Sequence, residues 1–133
     1  MATPSDSRPL VLVVDDNTGH VELLRAALAS HYRVLTALNG LDGYTMACRT
    51  RPDALVLDLI MPVVDGYTVV QKLHANPATA TIPIVVITGA DASAVSDGRK
   101  PLDVSAVLRK PSTPGEIVAA VKRALSSRPA EKG

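Results

Sequence analysis

Four polar stations interrupt the apolar runs of this chain in the same manner. Asp15 and Asp16 follow Leu10–Val14, Asp58 follows Ala54–Leu57, Thr88 follows Ile84–Ile87, and Lys110 with Pro111 follows Val107 and Leu108. If these runs are adjacent parallel strands, three carboxylates, one hydroxyl and one amine meet at their ends. Such a set suits Mg²⁺, which prefers oxygen ligands and keeps several of its waters. It also suits acceptance of a phosphoryl group, because a carboxylate attacks phosphorus to give an acyl phosphate. Asp58 is the first candidate for that role, since it emerges at a strand end rather than on a helix surface. Taken alone it reads more readily as a surface-loop Asp or a helix cap. Asp15 and Asp16 side by side would repel if unpaired, and a bound cation relieves that cost. One of the two also suits the start of the following helix.

The elements that must position these groups alternate. Leu10–Val14 is apolar without alternation, as in a strand covered on both faces. From Thr18 to Ser30 the period becomes helical, with Val21, Leu24 and Leu28 on one face and Asn17 or Thr18 as cap. Arg33–Ala37 reads as a strand, and 41–49 as a helix with Leu41, Tyr44 and Cys48 inward. Ala54–Leu57 is a strand, 66–73 a helix carrying Val69, Val70 and Leu73, and 84–87 a strand begun at Pro83. A last strand at 105–108 leads to a capping box, Thr113-Pro114-Gly115-Glu116. Ile117, Val118, Val121 and Leu125 give the helix that follows its apolar face, and Lys122 and Arg123 lie toward its C-terminus. Strand and helix alternating five times predict an α/β fold, a doubly wound parallel sheet with helices on both faces. Ligands of such sheets bind beyond the carboxyl ends of the strands.

Bulk properties narrow the function. The chain has 133 residues, enough for one domain, predicted over 9–127 with loose termini at 1–8 and 128–133. It is 47% hydrophobic with three Tyr and no Phe or Trp, so the core is built from Val, Leu, Ile and Ala. A net charge of +1 argues against a general nucleic-acid or membrane surface. Cys48 is the one cysteine, which fits a reducing compartment, and the N-terminus carries no secretory signal, so a cytoplasmic protein is expected. Phosphate-loop, dinucleotide, hydrolase-elbow and C-x-x-C motifs are all missing, and His20, His31 and His74 are scattered, against a zinc site.

The stretch Asp58-Leu59-Ile60-Met61-Pro62-Val63-Val64-Asp65-Gly66, taken with Asp15-Asp16, Thr88 and Lys110-Pro111, resembles the response-regulator receiver domain over nearly the whole chain. The resemblance implies a five-stranded flavodoxin-like sheet of order 2-1-3-4-5. It implies that Asp58 is the phosphoacceptor, that Asp16 and Asp58 bind Mg²⁺ directly, that the Ile60 carbonyl adds a ligand, and that Asp15 binds through water. Lys110 would pair with Asp58 before reaction and with a phosphoryl oxygen after it, Thr88 would donate to another, and the Lys110–Pro111 bond would be cis. The phosphoryl donor would be a histidine kinase or a histidine phosphotransfer protein, and the output a change in binding to a downstream protein. A stand-alone, non-enzymatic receiver, monomeric or weakly dimeric and without direct nucleic-acid or membrane contact, is the resulting expectation.

Two other readings are weaker. An aspartate-nucleophile phosphohydrolase wants its paired Asp spaced by one residue, whereas Asp15 and Asp16 are adjacent. A phosphorylation-independent pseudo-receiver usually lacks one of the key residues, and all are present. Two positions depart from the family: Val107 stands where many receivers place a switch aromatic, and 91–101 is polar, with Gly98 and Pro101, so its helix is expected to be short or frayed.

Overall fold

The computed structural model describes residues 7–59, 66–89, 104–110 and 112–127. Among these, β1 (Leu10–Val14), α1 (Thr18–Leu28), β2 (Arg33–Ala37), α2 (Gly40–Thr50), β3 (Ala54–Leu57), α3 (Gly66–Ala75), β4 (Ile84–Thr88), β5 (Ala106–Arg109) and α4 (Pro114–Ser127) follow in order. The strands form one sheet of order β2-β1-β3-β4-β5, each neighbouring pair parallel. This is the predicted doubly wound sheet.

The apolar runs are explained by what covers them. Alternation along β1 sends Val11 and Val13 into one layer with Leu24 and Leu28 of α1 and Ile117 and Val121 of α4. Leu12 and Val14 enter the opposite layer with Ala47 of α2 and Val69, Val70 and Leu73 of α3. A strand pressed between two helical layers has no face for water, so its sequence cannot alternate.

Helix ends are set by side chains. Asn17 caps α1, its side-chain oxygen accepting from the His20 amide at 2.9 Å, and Asn39 caps α2 through the Asp42 amide at 2.8 Å. The capping box of α4 is made in both directions: the Glu116 amide donates to Thr113 Oγ1 at 3.1 Å and the Thr113 amide to Glu116 Oε1 at 2.8 Å. α1 ends at Leu28, short of Ser30, and β5 begins at Ala106 rather than Ser105. α4 runs on to Ser127, so Lys122 and Arg123 lie before its last turn and are exposed. Its buried face is Ile117, Ala120, Val121 and Ala124, with Val118 and Leu125 packed at the flank.

One predicted face is wrong. In α2 the buried residues are Gly40, Gly43 and Ala47, while Leu41 is 58% exposed and Tyr44 and Cys48 are half-buried. The reason is distance. A Cβ on Gly43 would stand 2.7 Å from a methyl of Val14, so the helix lies on β1 closer than any larger side chain permits. Tyr44 stays at the rim, where its hydroxyl accepts from Asn76 Nδ2 at 3.2 Å and Lys72 Nζ sits 5.6 Å from its ring centre. The termini at 1–6 and 128–133 and the segment 91–101 lie outside the described residues.

α3 makes a second close approach. A Cβ on Gly66 would stand 2.6 Å from both the Asp58 carbonyl oxygen and the Leu59 Cα, and the Gly66 amide donates to the Leu59 carbonyl at 2.9 Å. Backbone cannot step aside as a side chain can. Gly66→Ala is therefore expected to lower unfolding free energy by about 1–3 kcal/mol, the range for overpacking a tight site. Gly115 is exposed, and its added methyl would meet nothing nearer than Thr113 Oγ1 at 4.0 Å, so Gly115→Ala should leave stability unchanged or raise it. Urea unfolding of both variants decides, and equal midpoints would show that the Asp58–Gly66 contact is not tight.

Candidate functional site

The polar stations are held by sheet hydrogen bonds continued one step past the strands. The Asp15 amide donates to the Ala37 carbonyl at 3.2 Å, the Asp58 amide to the Val14 carbonyl at 3.1 Å, and the Lys110 amide to the Thr88 carbonyl at 2.9 Å. Each backbone position is thus fixed by a neighbouring strand before its side chain makes any contact.

The side chains then converge. Asp15, Asp16 and Asp58 each offer a carboxylate oxygen within 4.8 Å of the other two. Asp15 and Asp58 are buried, at 1% and 5% exposure, whereas Asp16 is open to solvent. Lys110 Nζ lies 3.0 Å from Asp58 Oδ2 and 3.5 Å from Asp15 Oδ2. Thr88 ends β4 and is fully buried, its carbonyl holding the Lys110 amide. Asp58, Asp15, Asp16 and Lys110 are brought together as side chains, and Thr88 is joined to them through backbone. Ile60 and Pro111 lie outside the described residues. Val107 is 40% exposed on β5.

Neither Asp of the pair caps α1, a part that falls to Asn17. Instead Asp15 Oδ1 accepts from the Asn17 amide at 3.0 Å, and Asp15 Oδ2 accepts from Nδ1 of His20. His20 was not visible as a site residue in the sequence, where the histidines read as scattered. Its signal was position: it stands on the first turn of a helix that starts directly after the acidic pair.

Burial of like charges is the dominant electrostatic fact. Two desolvated carboxylates destabilise each other, and an ammonium between them offsets both terms. Lys110 responds in turn: burial pulls its pKa down, but the hydrogen bond to Asp58 and the charges of Asp15 and Asp58 outweigh this and hold it above the ordinary 10.5. The arrangement is one cation shared by two buried anions, with a third, solvent-facing anion at its edge.

The Response regulator receiver domain family model matches residues 11–122. The response regulator PleD of Caulobacter vibrioides is 48% identical over 82 residues, covering 61% of this chain and 18% of PleD. The transcriptional regulatory protein PrrA of Mycobacterium leprae is 40% identical over 125 residues, covering 92% of this chain and 52% of PrrA. The chain thus spans about half or less of these curated relatives. Among solved structures, the receiver domain of sensor histidine kinase PA1611 from Pseudomonas aeruginosa superposes with a TM-score of 0.80 at 27% identity, covering 91% of this chain and 100% of that one. That structure has a magnesium ion coordinated in its active site cleft.

The shared ammonium yields a direct check. Because its folded pKa is raised, the stabilisation from Lys110 is complete below the ordinary lysine value of 10.5 and is lost as pH rises through the folded value. Side-chain NMR should show Lys110 titrating above the exposed lysines, and Asp58→Asn should lower that midpoint. A midpoint that Asp58→Asn leaves in place would mean that the pairing is not felt in solution.

Proposed function

The chain belongs to the response regulator receiver domain family, and from this premise we propose that it accepts a phosphoryl group on Asp58 from a phosphohistidine and so switches the binding of a downstream protein. The observation that carries the reading is Lys110 reaching from β5 to Asp58 at the end of β3, with Asp15 and Asp16 beside them.

The donor set fits Mg²⁺. Three carboxylates offering oxygens within 4.8 Å, with Asp16 facing solvent, match an ion that wants hard oxygen ligands and retains waters. Asp16 and Asp58 would hold it directly, the Ile60 carbonyl would add a ligand and Asp15 would act through water. When bound, it supplies positive charge to the phosphoryl oxygens.

The chain's own residues do the rest. Asp58 is the nucleophile: its carboxylate oxygen forms the new O–P bond as the N–P bond of the phosphohistidine breaks, and the imidazole leaves with the bonding pair. Lys110 holds Asp58 in place before reaction and then pairs with a phosphoryl oxygen, keeping its charge throughout. The Thr88 hydroxyl donates to another oxygen. Phosphoryl transfer asks for little beyond positioning and charge stabilisation, so one carboxylate and one fixed ammonium suffice. The acyl phosphate carries roughly −1.5 to −2 charges where the Asp58 carboxylate carried one, and this added negative charge beside Asp15 and Asp16 drives the change in partner binding.

On this reading the chain is a single-turnover acceptor rather than an enzyme. Its donor is a histidine kinase or histidine phosphotransfer protein of the cytoplasm. It works as a monomer or weak dimer, with no direct contact to nucleic acid or membrane. No helix among the described residues is long and apolar enough to cross a membrane.

With Mg²⁺ and a small acyl-phosphate or phosphoramidate donor, intact-mass measurement should find one acid-stable, base-labile phosphoryl group. Asp58→Asn should abolish it and chelation should nearly do so; full labelling of Asp58→Asn would sink the assignment.

Metal binding gives a separate test. Calorimetric titration should find that Asp16→Ala weakens Mg²⁺ binding more than Asp15→Ala does. At Mg²⁺ tenfold above its Kd, the native fold should gain about 1.4 kcal/mol and Asp16→Ala much less. Native affinity in Asp16→Ala would refute the ligand set.

A further inference from the structure

The acidic site has a feature that its proposed chemistry leaves unused. Both oxygens of Asp15 are occupied from its own side of the site. The Asn17 amide donates to Oδ1 at 3.0 Å, and His20 Nδ1 donates to Oδ2. The two donors are tied to each other, because the His20 amide donates to the Asn17 side-chain oxygen at 2.9 Å as part of the α1 cap. Asp15, Asn17 and His20 thus form a closed ring of three hydrogen bonds. The His20 ring is 15% exposed and the Asp15 carboxylate 1% exposed, so little water competes.

The tautomer follows from chemistry. A buried carboxylate only accepts, so the His20 nitrogen facing it must carry a hydrogen. Were Nδ1 bare, its lone pair would point at a buried anion. Nδ1 is therefore protonated.

The ring governs where Lys110 goes. Lys110 Nζ stands between two acceptors, 3.0 Å from Asp58 Oδ2 and 3.5 Å from Asp15 Oδ2. The Asp15 oxygen it approaches is the one His20 already holds. An Asp15 freed of His20 would turn toward the ammonium as its replacement partner. Lys110 would then be drawn off Asp58, and Asp15 would leave the orientation it keeps beside Asp16.

We propose that His20 is a positioning residue of this site: by holding Asp15 Oδ2 it fixes Asp15 toward the divalent-cation position and leaves Lys110 to Asp58. The proposal rests on the acidic site being the cation and phosphoryl site described above. His20 touches neither the cation nor the phosphoryl group and acts wholly through Asp15.

The test is a double-mutant cycle on the full chain, read by Mg²⁺ calorimetry, with ¹⁵N NMR of the histidine rings in metal-free protein. His20→Ala should weaken Mg²⁺ binding by about tenfold, as loss of an outer-shell partner does. His20→Asn carries an amide nitrogen at the same distance along the side chain as Nδ1 and should restore most of the affinity. In an Asp15→Ala background, His20→Ala should change the affinity no further, because its target is gone. Metal-free native protein should show His20 as the Nδ1–H tautomer, and Asp15→Ala should relax that preference. Native affinity in His20→Ala, or a full effect that persists in Asp15→Ala, overturns the role of His20 alone. Absence of any Mg²⁺ binding by the native chain overturns the cation site and the positioning role with it. A merely structural His20 would lower stability without the Asn rescue and without coupling to Asp15.

Discussion

Two carboxylates buried side by side cannot persist without positive charge between them, and this constraint organises the molecule. Asp15 and Asp58 are nearly sealed from water, so the dielectric that usually softens like-charge repulsion is missing. Lys110 answers it from a different strand, at 3.0 Å and 3.5 Å. The pairing requires β1, β3 and β5 to end at one level, which the parallel order β2-β1-β3-β4-β5 supplies. The helical layers then have a defined task. They bury the strands on both faces, and among the described residues Asp15, Asp58 and Thr88 are polar side chains buried at the strand ends. The proposed cation and phosphoryl group would extend the same balance: the first would add positive charge to an anionic site, and the second negative charge beside an ammonium already in position.

Much of this was legible in the sequence, for a physical reason. A strand covered on both faces must be apolar at every position, so the first polar residue after such a run marks its end and is exposed to whatever chemistry the end supports. Asp15, Asp58 and Lys110 were found in this way, and the α4 capping box was readable because Thr113 and Glu116 serve each other locally. Strand order came from family resemblance, since periodicity says which residues are inside and nothing of which strand lies next to which.

The misses have equally physical causes. Hydrophobic periodicity weighs large side chains, but α2 meets the sheet through Gly40, Gly43 and Ala47, and the better fit to a helical stripe, Leu41, faces water. Close packing onto Val14 rewards the absence of a side chain, which a search for apolar residues cannot register. His20 was passed over because its partner lies across a cap: the ring reaches Asp15 only after Asn17 has turned the chain into α1. A histidine considered alone is uninformative. Considered with the turn that aims it, it becomes part of the acidic site.

The span between the buried anions and their cation bears on how the chain acquires its shape. Lys110 lies 52 residues after Asp58, and Asp15 comes earlier still. A polypeptide emerging N-terminus first from the ribosome exposes both carboxylates well before their counter-ion has been made. Docking β3 against β1 at that stage brings two negative charges together before the Lys110 ammonium can offset them, so the early sheet is opposed at the end where the carboxylates meet. Lys110 joins the two carboxylates only once the chain through β5 has been made. Completion of the sheet and completion of its charge balance are then a single event, and a nascent chain halted before Lys110 holds the two acids without the residue that reconciles them.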